Sequence, residues 1–427
     1  MGVIIRESGK SKLIVSEFGR NQAIGRVQLL SGISIYSVIP AYGSVSGGTA
    51  VTITGSGFVD ITYLDVYFGA SNPPSESFTL VNSTTITCDT PAGSGSVTVS
   101  VADKSLANAF DYYGVVLTSS GFGAKSPAAP LYFSTFADAT LGAAADHASV
   151  GLEIRHGGGS DSLPRIVNDK SHSGGQCLRC DYGPGDSSPP PNGWFRAVGI
   201  WPFPADRLDI YVAQWSYNEA TGSGTIANFK CNRGGSGDTY SGTPQYNATL
   251  GSVADWSGNN QTNWNDGVNN HELAEPDPLS PTEDQWDFTE WQYRLSTPGV
   301  ADGWFRWFCN GTENNGANPA ATRAEGVTGK AGWAFCSING ADQMSGDLEV
   351  AHYVDELLIN CTHARVIATD NATYGSSTKW APQAPTVWSD TDIGIATPNW
   401  GDLSGTAYFH VFDADNNHIE AFARSVP

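Results

Sequence analysis

Two sets of residues in this chain have the types and spacing for chemistry: carboxylates at even intervals, and tryptophans set among Asn and Asp. Glu283, Asp284, Asp287 and Glu290 form an acidic cluster, and Glu283 and Asp287 fall on one face if the segment is a strand. Acid–base cleavage of a glycosidic bond needs two carboxyl groups facing one groove, so hydrolysis would reside here. No Glu-x-Asp-x-x-Glu run accompanies the pair. Elimination would instead need a Tyr or His base with an Arg or Gln neutraliser. His156, His172, Tyr293 and Arg294 are of the right types, and no spacing joins them. The expectation is a protein that is not an enzyme.

Trp256, Trp264, Trp286, Trp291, Trp304 and Trp307 lie among Asn and Asp between residues 251 and 315. Sugar rings stack their C–H faces on aromatic rings, and their hydroxyls suit Asn, Asp and Arg. Core packing competes for the same side chains. On a strand over Gly303–Cys309, Trp304 and Phe308 share one face, and Phe305 and Trp307 share the other, so one face must be core. The expected carbohydrate-binding residues are Trp256, Trp264, Asn265, Asp266 and Trp286. No motif fixes a cofactor. Calcium is the candidate ion, because Asp and Asn in these loops offer the oxygen donors it takes, with no spacing that selects ligands.

Other motifs fail on spacing. His271-Glu272-Leu273-Ala274-Glu275 lacks the second imidazole of a metalloprotease helix, and Pro276 and Pro278 follow it, so it reads as an acidic loop. Cys177-Leu178-Arg179-Cys180 is half a zinc ribbon with no second half, and on a strand its thiols point to opposite faces. Gly9-Lys10-Ser11 has Ile4 where a phosphate loop needs Gly, and no Gly-x-Ser-x-Gly occurs.

The elements that must position these residues are strands. Runs such as Thr49–Thr54, Ser96–Val101, Leu208–Trp215, Trp286–Leu295 and Thr406–Asp413 are β-branched or aromatic and bounded by turn residues. No apolar 3.6-residue period lasts beyond two turns, so the chain is all-β. The polar stretches Gly251–Asn270 and Glu275–Glu283 read as loops, and Ser119–Pro130 as a hinge. Seven cysteines, an odd number, argue for a reducing compartment without an obligatory disulfide framework. A formal charge of −21 over 427 residues speaks against nucleic acid, which needs clustered Lys and Arg. No window approaches 18 uninterrupted apolar residues, so membrane insertion is not expected. The first residues have scattered charges and no apolar core, unlike a secretory signal.

Residues 37–114 resemble the IPT/TIG family of immunoglobulin-like domains. The likeness rests on Ile39-Pro40, Gly47-Gly48-Thr49, Val51-Thr52-Ile53-Thr54-Gly55-Ser56-Gly57-Phe58, Val66-Tyr67-Phe68-Gly69 and Thr85-Ile86-Thr87-Cys88. Residues 131–378 resemble concanavalin A-like jelly rolls of the laminin-G or polysaccharide-lyase type, through Trp291-Gln292-Tyr293-Arg294, Asp302-Gly303-Trp304-Phe305-Arg306-Trp307 and Tyr353-Val354-Asp355-Glu356-Leu357. The resemblances imply an Ig-like sandwich, a linker at 115–130, a jelly roll and a small β cap at 379–427, as in structural proteins of bacteriophages. The implied function is a virion structural protein on the particle surface, as capsid fibre, decoration or tail component, whose lectin-like domain meets host or environmental glycans. The alternatives are an exported glycosidase or lyase, or a leaderless adhesin. Residues 1–36 carry five basic and two acidic residues against an acidic remainder. They are expected to anchor the chain to copies of itself and to other virion proteins.

Overall fold

The computed structural model describes residues 3–7, 10–14, 32–125, 127–141, 152–154, 164–182, 198–200, 203, 207–221, 224–226, 229–236, 251–255, 259–265, 270–273, 284–320, 331–338, 344–346 and 349–426. Among them regular structure is strand, with short 3-10 turns at Tyr63–Asp65 and Tyr374–Ser376. The chain divides into two compact units, Met1–Val116 with Gly394–Thr397, and Leu117–Ile393 with Pro398–Pro427.

In the first unit, alternation of β-branched and small polar residues makes two four-stranded sheets. Ser34–Ile39, Ala50–Ser56, Thr85–Asp89 and Thr79–Asn82 form one, and Tyr42–Ser44, Lys104–Tyr113, Gly95–Val101 and Val66–Phe68 the other. Val51, Ile53, Val66, Phe68, Ile86, Val99 and Phe110 fill the space between them. Gly47 turns with φ +77°, and a Cβ there would fall 2.6 Å from the Pro91 carbonyl carbon, so no other residue fits without rearrangement. Val3–Glu7 and Lys10–Ile14 form a separate antiparallel pair that joins no other sheet among the described residues.

The second unit is a jelly roll of two large sheets. One runs Arg165–Val167, Cys177–Tyr182, Glu349–Asn360, Asp209–Thr221, Trp286–Arg294, Gly303–Cys309 and Thr312–Ala320, with Tyr132–Ser134 also paired to Glu349–Asn360. The other runs Glu153–Ile154, Val198–Ile200, Ala331–Ile338, Phe229–Ser236, Gly251–Asp255, Asn259–Asn265 and Asn270–Leu273. Ile210, Val212, Trp291, Tyr293, Phe305, Trp307, Val354 and Ile359 of the first sheet pack with Leu152, Ile200 and Ala331 of the second. Alternation therefore sends Tyr211, Ala213, Trp215, Phe288 and Leu358 to the opposite face of the first sheet.

That opposite face is partly covered by a C-terminal sheet of Trp380–Pro382, Arg365–Thr369, Thr406–Phe412 and His418–Ser425, through Ile367 and Trp380. The cover starts at Arg365, ahead of the boundary at 379 that the resemblances imply. One buried ion pair joins the layers. Glu290 accepts from Arg365 Nε at 3.2 Å, Tyr211 Oη at 2.7 Å and Tyr374 Oη at 2.6 Å. Burial beside this carboxylate pushes both phenols well up.

Four expectations are corrected here. The polar stretch at 251–270 is largely strand, and His271, Glu272 and Leu273 continue it as the last strand of the second sheet. Backbone pairing overrides a composition that, taken alone, favours loop. The run Tyr63–Phe68 reads by composition as one strand, but Tyr63–Asp65 is a 3-10 turn closed by the Thr62 and Asp65 capping contacts, and the strand is Val66–Phe68. The hinge at 119–130 is packed: Phe122 is buried, its N–H reaches Asp390 O at 3.1 Å, and Lys125 donates to Pro127 O and Ala128 O over the Trp388 ring. Finally, Cys180 is disulfide-bonded, whereas Cys88, Cys177, Cys309 and Cys361 are buried and outside any disulfide. Cys177 and Cys180 do take opposite faces of their strand, with Cys180 in the intersheet core and Cys177 packed with Tyr353.

Candidate functional site

Where the C-terminal sheet leaves the face of the large sheet open, a cavity of about 490 Å³ remains. Its apolar wall is His172, Trp215, Trp286 and Trp380, and its polar groups include Asp287, Asn310, Lys379 and Asp402. Trp286 sits at the first position of its strand, half-buried, 5.5 Å ring to ring from Tyr217.

His172 is held from behind by two buried carboxylates on the strand Glu349–Asn360. In the pairing with Asp209–Thr221, Ala213 lies opposite Leu358 and Trp215 opposite Asp355, so Glu356 and Leu357 bulge against the single residue Gln214. Glu356 takes φ +49° at this bulge, a left-handed conformation that costs on the order of 1–3 kcal/mol for a residue with a side chain. The bulge places adjacent carboxylates on the same loop. Asp355 accepts the N–H groups of His172 (3.0 Å) and Ser173 (3.1 Å) and the hydroxyls of Ser171 and Ser173, pinning the loop. Glu356 lies 3.1 Å from His172 Nδ1 and accepts from Asn399 Nδ2. Burial pushes both carboxyls up, and these hydrogen bonds oppose the shift.

In the neutral tautomer that donates Nδ1–H to Glu356, Nε2 carries the lone pair. The ring stacks on Trp215 with centroids 3.6 Å apart and planes 14° from parallel, and its side chain is 10% exposed. The result is an oriented imidazole set in an aromatic wall.

The same face carries a second row. Lys170 lies over Tyr217, bonds its Oη at 3.1 Å and pairs with Glu219 at 3.3 Å. Tyr353 donates to Glu219 at 3.0 Å, and Arg179 covers the Tyr353 ring while paired with Asp169 at 3.1 Å. Each of these cations is matched by a carboxylate.

The residues expected from sequence divide clearly. Trp286 lines the cavity. Trp264 and Asn265 are in a strand of the other sheet, in register with His271 and Asn270. Trp256, Asp266, Glu283 and His156 lie outside the described residues. Of the remaining carboxylates of the hydrolase cluster, Asp287 lines the cavity with Gln285 and Asn310 on its oxygen, Glu290 is ion-paired with Arg365, and exposed Asp284 accepts from Tyr217. Among the elimination candidates, His172 is in the cavity, Tyr293 is core, and Arg294 is bidentate to Asp209. Trp215, Lys379, Trp380, Asp402 and Glu356 were not selected from sequence. Lys379, Trp380 and Asp402 come from the C-terminal cover, and nothing local marks Glu356 as the bulge. Among the described residues no cluster of three His, Cys, Asp or Glu side chains is placed to hold a metal ion, and no helix is long and apolar enough to cross a membrane.

Solved structures similar to this chain include the PL-14 alginate lyase of Aplysia kurodai, at 14% identity and TM-score 0.37, over 48% of this chain and 89% of that one. An endo-β-1,4-glucuronan lyase of Trichoderma reesei is similar at 9% identity and TM-score 0.33, over 58% and 95%. Domain 4 of an extracellular arabinanase from Geobacillus stearothermophilus, in complex with arabinotriose, is similar at 13% identity and TM-score 0.29, over 49% and 84%. No curated protein sequence matches the chain. Residues 34–118 match the family model of the IPT/TIG domain.

Proposed function

We propose that this is a glycan-binding structural protein displayed on the surface of a virus particle. The observation that carries the glycan part is the cavity, where Trp286 and the stacked His172–Trp215 pair form an aromatic wall beside Asn310, Lys379 and Asp402. Aromatic walls with a few fixed polar groups suit the two faces of a sugar ring. Single sites of this kind bind weakly and gain from repetition on an assembly. Trp286→Ala in the full-length chain is expected to lose about tenfold or more in affinity on a glycan array, because it removes one stacking wall. An array blank for both proteins would remove the glycan part.

The display part is supported by the strand pair Val3–Glu7 and Lys10–Ile14, whose outer edges meet no other strand among the described residues. Isolated two-stranded pairs are marginal in water, and open edges pair with other chains. The net charge of residues 1–36 is opposite in sign to the rest. Deleting residues 1–31, which leaves the strand Ser34–Ile39 whole, is expected to leave a folded monomer that no longer joins the particle; full incorporation of the truncated chain would place the anchor elsewhere.

A second reading, elimination on a polysaccharide, has the His172–Glu356 pair in its favour, an imidazole oriented by a carboxylate as a general base is. Against it, Tyr293 and Arg294 stand apart from that base. Unsaturated product from any polysaccharide, lost in His172→Phe, would establish it.

A further inference from the structure

We infer that the sugar held in this cavity is neutral, an uncharged pyranose rather than a uronate, sulfated or amino sugar, and that His172 Nε2 accepts from one of its hydroxyls. The inference rests on the glycan reading of the same cavity. It starts from the nitrogen. His172 is nine-tenths buried, its Nδ1 is committed to Glu356, and no described residue bonds Nε2. In the neutral tautomer that donates Nδ1–H to Glu356, Nε2 presents a lone pair in a nearly buried wall, and that lone pair takes a donor from the ligand. A hydroxyl provides one. A carboxylate or sulfate oxygen would set lone pair against lone pair.

The charges around the cavity agree. Among the described residues Lys379 is the one lysine or arginine lining it, and its Nζ donates to Asp402 O at 2.7 Å and lies 3.2 Å from the Asp402 carboxylate. Asp287 and Asp402 are the lining carboxylates, and Glu356 stands directly behind His172. An anionic ligand would therefore enter a site where negative groups outnumber positive ones and the lysine is already occupied. An ammonium fares no better: Asp402 is held by Lys379, and Asp287 takes the Gln285 and Asn310 amides. A polyol needs no uncompensated charge and can share donors and acceptors with the groups present.

The test uses the full-length chain with length-matched oligosaccharides of neutral hexoses, of mannuronate and of glucosamine, titrated by calorimetry. Neutral oligosaccharides are expected to bind at least about tenfold tighter than either charged series. His172→Phe keeps the ring on Trp215 and removes Nε2, and is expected to lose about tenfold, the effect of one unmade hydrogen bond. His172→Gln, with an amide donor for Glu356 and a carbonyl acceptor, should recover part of that loss. Tighter binding of mannuronate or glucosamine oligomers overturns the neutral class while leaving the glycan reading in place. Undiminished binding by a folded His172→Phe overturns the role of Nε2. If no series binds, the glycan reading fails together with the inference. The ranking of the three series needs no variant, so poor folding of His172→Phe leaves the test of the sugar class intact.

Discussion

Arg365→Met is expected to destabilise the second unit by about 3–5 kcal/mol, the usual consequence of leaving one charge of a buried pair without its partner. Arg365 and Glu290 are both essentially inaccessible, at 3% and 1%. The guanidinium also donates to His363 O at 3.0 Å and Asn416 Oδ1 at 2.6 Å, and lies 3.9 Å from the Phe412 ring centre. In the variant Glu290 keeps two tyrosine donors and no counter-charge. Because Arg365 opens the C-terminal sheet, loss should appear first there. Trp380 and Trp215 meet across that boundary, so urea unfolding followed by tryptophan fluorescence reports it. Glu290→Gln combined with Arg365→Met should recover part of the loss, since it removes the unpaired charge and keeps a carbonyl acceptor for the Tyr211 and Tyr374 hydroxyls. A single variant as stable as the parent would show that the pair does not hold the layers together.

The second large effect is acid sensitivity. Burial brings His352 down from 6.5 to about 3, and His363 and His410 to about 4. Each must stay neutral in the fold while its unfolded counterpart takes up a proton. Between about pH 6.5 and pH 4 the unfolded chain therefore binds more protons, and stability falls as pH falls, by ~1.4 kcal/mol per pH unit for each fully titrating imidazole. Below about pH 4 the slope flattens as His363 and His410 protonate in place. Asp355 and Glu356, raised by burial, act in the opposite sense at the acid end of this window, because the folded state then binds protons first. The urea midpoint is expected to drop clearly from pH 7 to pH 5. His410→Asn should reduce the slope, since His410 Nε2 reaches Asn371 O at 2.9 Å and its Nδ1 faces His418 at 3.0 Å. Midpoints that stay level over this range would contradict neutral burial of these rings.

Much of the architecture was legible in the sequence, because it follows from local periodicity. Gly303–Cys309 reads as a strand with two aromatic faces, and the structure buries Phe305 and Trp307 while leaving Trp304 and Phe308 half-buried. The glycine and threonine spacing of the first unit agrees with the family match over residues 34–118. The polar strands at 251–273 were not legible, since their pairing partners, and not their own composition, make them strands.

The site divides along the same line. Trp286 and His172 stood out by residue type, but nothing in the sequence joined them; of the carboxylates in the acidic cluster, Glu290 is ion-paired with Arg365, Asp287 lines the cavity and Glu283 lies outside the described residues. Sequence by itself determined an acidic, all-β chain with Trp286 as a sugar-stacking candidate, because charge and alternation are properties of neighbouring residues. Tertiary structure alone decided that Glu356, at a strand bulge, stands behind His172, and that Trp380, Lys379 and Asp402 close the wall. Those contacts span separations from about 90 to more than 200 residues, and only the register of packed sheets sets such distances.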